Sequence, residues 1–203
     1  MRSKPAEWWM GVALGANLFL AAAILLARGA DVHGTETALR ATARIAFLWF
    51  WLAYTGGALT TLFGATFLPL KQHGRELGLA FAAALSVHLL LVTWLCLIGA
   101  APALGVFMFF GPAAAVTLLI AIFSFRNLHA VLGLKGWQLL RTIGMNFILY
   151  AFLTDFAKNP LHGGTRRLIE YLPFTMMAIV APLLRLTAWG RSAAHSTPNA
   201  PRN

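Results

Sequence analysis

Acidic side chains are scarce in this chain and missing from its middle. Six Asp and Glu stand against 16 Lys and Arg, and charged residues of either sign make up 11% of the sequence. From Leu77 to Phe125 there is no Asp, Glu, Lys or Arg at all. A soluble domain of this length needs far more charge to cover its surface, so that class is excluded. There is one cysteine, Cys96, which can form neither a disulfide framework nor a thiolate metal site within the chain and reads as a small core residue. The GxGxxG, P-loop, HExxH, CxxC and GxSxG spacings are also absent. Nucleotide-fold, metalloprotease, redox-dithiol and serine-hydrolase readings therefore have no residues to carry them.

What the chain has instead is hydrocarbon. Hydrophobic residues make up 59% of it, and the mean hydropathy is +0.72. A bilayer core of ~30 Å requires about 20 apolar residues per helix. Uncharged stretches of that order run from Trp8 to Ala27 and from Ile45 to Leu70. The 77–125 run is too long for one span, and Gly99-Ala-Ala-Pro102 divides it into two. Weaker spans near 138–157 and 168–189 bring the count to six and predict an all-α bundle over residues 1–190. The remainder, 191–203, reads as a disordered polar tail.

The formal net charge is +10, but the cations are dispersed at helix ends and in loops, the pattern of headgroup anchoring. No basic run interleaves with aromatics, so nucleic acid is rejected as a partner and the lipid bilayer is expected. Lys and Arg counts favour both termini in the cytoplasm of a bacterial inner membrane. The first span is long for a signal-peptide core and is expected to be retained. The segment from Arg28 to Arg40, with Asp31, His33 and Glu36, reads as an exposed connector. Gly56, Gly57 and Gly64 read as sites of close helix approach.

His88 stands alone in the uncharged run. It lies twelve residues after Glu76, about 18 Å along a helix and near mid-bilayer. Its helical face carries Phe81, Ala84, Leu85, Leu91, Val92 and Leu95. An imidazole in such surroundings needs a metal, a hydroxyl, a carboxylate or a carbonyl as partner. Intramembrane ionisable groups are candidates for function. The other histidines, His33, His73, His129, His162 and His195, read as solvated loop or tail residues.

The stretch Arg75-Glu-Leu-Gly-Leu-Ala-Phe-Ala-Ala-Ala-Leu-Ser-Val-His88 resembles the third-helix signature of the ferric reductase-like transmembrane domain family. Within that family it is most similar to the haem-binding membrane subunits of periplasmic methionine sulfoxide reductase systems. Ser124, Leu132-Gly133, Trp137 and Leu140 follow in compatible order, so the resemblance covers about residues 41–157. It implies a six-helix bundle holding haem b between the third and fifth spans, with His88 as an axial ligand. It also implies a quinol or separate reductase as electron donor, and a membrane or periplasmic partner as acceptor.

The chain departs from that pattern at one place. The family's two fifth-helix histidines fall here at Arg141 or Thr142 and at Thr154 or Asp155, and no His occurs in 130–161. Met145 and Tyr150 remain as substitute ligands, each with helix packing as the alternative. Arg141 reads as an interfacial anchor or a partner to a propionate or lipid phosphate. Asp155 reads as an outer-interface residue near Lys158, or as a partner of His88. Two functions follow as expectations. One is a haem-carrying electron-transfer subunit; the other is a haem-free divergent member that serves a larger membrane complex as a structural or assembly subunit.

Overall fold

The computed structural model describes residues 4–126, 128–161 and 164–195, with side chains placed over 6–126, at 128, and over 131–158 and 169–194. His129, His162, His195, Arg166, Arg167 and the tail from Ser196 lie wholly or in their side chains outside the described residues. All described regular structure is helical: α1 (Lys4–Arg28), α2 (Val32–Phe63), a 3-10 turn (Ala65–Phe67), α3 (Leu68–Gln72), α4 (Gly74–Leu97), α5 (Leu104–Phe125), α6 (His129–Leu161) and α7 (Gly164–His195). Six of these helices (α1, α2, α4, α5, α6 and α7) are long and apolar enough to cross a membrane. The chain is a multi-pass, all-α membrane protein.

Four boundaries differ from expectation. The segment expected to be a connector after Arg28 is helical from Val32, because Asp31 caps α2 by accepting from the Gly34 N–H (2.8 Å). The uncharged stretch to Leu70 is not one helix. It stops at Phe63, turns at Gly64, and α3 folds back so that a Cβ on Gly56 would meet the Leu70 backbone at 3.0 Å. At the other terminus α7 continues to His195, into the segment expected to be disordered. In α6 the helix starts at His129 and kinks at Gly133, earlier than the span near 138.

α2 organises the bundle, lying against α4 and α7 over much of its length and also against α1. α1 packs on α4, α6 on α7 and α5, and α5 meets α4 only lightly. In lipid the apolar effect cannot drive helices together, so close packing of small residues must. Ala13, Ala46, Ala80 and Ala84 are buried in the main cluster, and Ala21 and Ala38 pack with Val87 and Leu91 in a second. Between α5 and α6 the approach is tighter still: a Cβ on Gly144 would lie 2.7 Å from both Ile120 and Val116. The outward faces carry bare apolar side chains on every spanning helix, Phe19, Leu48, Leu97, Met108, Ile143 and Leu186 among them. That surface suits acyl chains and nothing aqueous.

Candidate functional site

His88 sits roughly 21 Å along α4 from Gly74 and roughly 14 Å from Leu97, near the middle of the span. Its ring is half-buried and turned towards α2. Nδ1 lies 3.3 Å from Thr42 Oγ1, which in turn is 3.1 Å from the Leu39 carbonyl. Thr42 is fully buried and its hydroxyl already donates to the Ala38 carbonyl (2.9 Å). One proton cannot serve two acceptors fully, so the Thr42 oxygen is best used as acceptor from a protonated Nδ1. That leaves Nε2 as the basic nitrogen. Among the described residues Nε2 has no partner.

The remaining sequence-derived candidates are not gathered around this ring. Arg75 donates through Nε and Nη2 to the Ser124 carbonyl (3.1 and 2.7 Å), and Nη2 reaches the Phe125 carbonyl at 3.4 Å. It caps the C-terminus of α5, satisfying carbonyls that have no intrahelical donor and opposing the helix dipole. Tyr150 is 55% exposed and packs edge-on to Phe109 of α5, its ring centroid 5.8 Å away. Met145 and Arg141 line two adjoining cavities towards the end of the bundle where α4 begins. Asp155 is half-buried on α6, one turn from Lys158, and is not among the partners of His88.

The interior between α2, α4 and α6 is aromatic. Phe47, Phe50, Phe81, Phe152 and Phe156 form a continuous group, with centroid separations from 5.0 Å (Phe47–Phe156) to 6.4 Å (Phe47–Phe50). Phe81 lies two turns from His88 on the same face of α4. A haem with axial ligands from both α4 and α6 would need a ligating side chain on α6 facing His88. Among the described residues the side chain hydrogen-bonded to the His88 ring comes from α2, Thr42. His88 Nε2 is the one part of the expected ligand set that the geometry leaves available.

Several polar residues that the sequence reading passed over prove to be structural anchors. Arg44 of α2 pairs with Glu170 of α7 (3.3 Å), and its guanidinium lies over the rings of Tyr171 and Phe174 (4.6 and 5.6 Å to the centroids). Tyr54 donates to Asn146 Oδ1 across α2 and α6 (2.7 Å). Trp51 Nε1 donates to the Met177 carbonyl (2.9 Å). Asn17 is fully buried in α1, donating to the Ala13 carbonyl while its Oδ1 has no partner. Arg185 lies 4.4 Å from the Tyr54 ring centroid and shares a cavity with Arg141. Its signal was legible in principle: Arg141 and Arg185 both interrupt apolar spans near the same end of the bundle.

Comparison with protein-family models, with curated proteins and with solved structures finds no match to this chain.

Proposed function

We propose that the protein is a haem-free divergent member of the ferric reductase-like architecture, serving a larger complex of the bacterial inner membrane as a structural or assembly subunit. The observation that supports this reading is the phenylalanine group packed between α2, α4 and α6, the region in which the resemblance would put haem. The replacement of the expected fifth-span histidines by Arg141 or Thr142 and Thr154 or Asp155 agrees with it. One lightly anchored helix agrees with it as well. α5 meets α6 and, lightly, α4, and few of its residues are buried within the chain, which leaves a long apolar face for neighbouring helices or lipid.

A second reading keeps the electron-transfer role, with haem b on His88 and a quinol or separate reductase supplying electrons. It is favoured by one observation, the unpartnered Nε2 of His88 on an imidazole already oriented through Nδ1. Haem, when bound, would supply one-electron chemistry; this chain would contribute the His88 nitrogen and the Thr42 oxygen that orients it.

Expression with ample haem, purification and an absorption spectrum separate the two readings. The haem-free reading expects no Soret band at stoichiometric intensity in the wild type. A stoichiometric band that disappears in His88→Ala overturns it and establishes the second. Mild-detergent chromatography tests the assembly role: co-elution with a membrane partner is expected, and a solitary monomer at all detergent strengths would refute it.

A further inference from the structure

We propose that the cavity between α2, α6 and α7 is a phosphate-binding site, with Arg141 and Arg185 as its cationic contacts. The cavity has a volume of about 430 Å³, and Tyr54, Gly57, Thr61, Gln138, Arg141 and Arg185 are among its lining residues. The two guanidiniums belong to neighbouring helices, α6 and α7, and both line this one cavity. Among the described residues neither has a carboxylate partner. Glu36 is taken by Arg40, Glu170 by Arg44, and Glu76 lies at His73. The lining segments of α2, α6 and α7 contain no Asp or Glu. Two uncompensated like charges facing one space are costly, and an anion between them removes the cost. Guanidinium forks match phosphate oxygens in shape as well as charge.

The surroundings fit that ligand. Tyr54 holds Arg185 by its ring face, and its hydroxyl is fixed by Asn146, so one cationic arm is positioned in advance. Gln138, Thr61 and Thr142 add neutral hydrogen-bonding groups. Gly57 leaves the wall open: a Cβ there would meet nothing within 4 Å. The cavity shares Ala53, Arg141 and Met145 with a second one that reaches Gly74 and Arg75, where α4 begins. It therefore lies at the polar end of the bundle, where phospholipid phosphates and aqueous phosphate both have access. The shared chemistry is a phosphate mono- or diester, or inorganic phosphate. The site does not depend on whether haem is bound.

The full-length protein in detergent, stripped of lipid, is titrated with phosphatidylglycerol followed by native mass spectrometry, and with inorganic phosphate followed by calorimetry. Wild type is expected to bind one or both at a single site. Arg141→Gln and Arg185→Gln are each expected to weaken binding by roughly tenfold, while Arg40→Gln, whose residue lies elsewhere, leaves it unchanged. Tighter binding of phosphatidylglycerol assigns the phosphate to a lipid headgroup; equal or tighter binding of inorganic phosphate assigns it to a soluble source. Failure of both probes to bind wild type overturns the proposal, as does binding that survives both glutamine substitutions. Should either variant not fold, the salt dependence of wild type decides. Affinity must fall between about 0.1 M and about 0.5 M salt, and a flat response rejects a charge-held phosphate.

Discussion

At the scale of single residues, most intramembrane hydroxyls close on their own helix and a few polar groups tie one helix to another. Thr42 illustrates this, since one fully buried hydroxyl both closes on its own helix and meets His88 across the interface. Thr42→Val keeps the shape and removes the oxygen. Thermal unfolding in detergent should show a loss of about 1 kcal/mol, and no change would mean that the contact is not formed. Arg44 and Glu170 form the corresponding tie between α2 and α7, part-exposed and therefore modest in energy. A double-mutant cycle with Arg44→Met and Glu170→Gln should return a coupling of about 1 kcal/mol; independent effects would show the pair to be incidental. His88 was legible in the sequence because it interrupts an uncharged run. Thr42 was not, because one Thr among several on α2 carries no mark of which α4 residue it faces.

Between elements, the bundle rests on side chains that are small or missing. Gly144 allows α6 to approach Val116 and Ile120 of α5, and α5 has few other attachments. Gly144→Val should therefore lower the unfolding midpoint and release α5 first. Raised proteolysis in the 99–103 connector would show it, whereas wild-type resistance would mean that α5 is held by other contacts. Ala84 is fully exchanged for packing in the α1–α2–α4 layer. Ala84→Leu should cost about 1–3 kcal/mol by overpacking, measured by denaturant or heat, and a neutral result would imply slack in that layer. The sequence announced these helices through hydropathy. It did not announce that α2 would begin at Val32, since a helical start inside a polar segment depends on the Asp31 cap and on buried Thr35 and Ala38 packing against other helices.

For the molecule as a whole, six spans put the start of α1 and the end of α7 on the same side of a bilayer. We expect from the distribution of Lys and Arg that this side is the cytoplasm. A reporter fused after Asn203 should be active when it is one that works only in the cytoplasm. Activity of a periplasm-dependent reporter at the same position would reverse the orientation. The candidate site was legible only in part at this scale. His88, Arg141 and Met145 were visible as oddities in apolar spans, and the sequence offered them as an axial ligand, a propionate or lipid-phosphate partner and a substitute ligand. They belong to two different places, one near mid-span beside α2 and the other at the polar end among α2, α6 and α7.

Sequence alone determined that this chain lives in lipid as a bundle of helices. Backbone groups in hydrocarbon must bond within their own segment, and the length of each apolar run sets the crossing. Tertiary structure alone decided what the rare polar groups do. Which side chain meets which across an interface depends on helix rotation, on tilt and on the volume left by small residues, none of which a linear pattern contains. Those choices turned His88 towards Thr42, filled the space beside α6 with aromatic rings, and set two arginines facing one cavity.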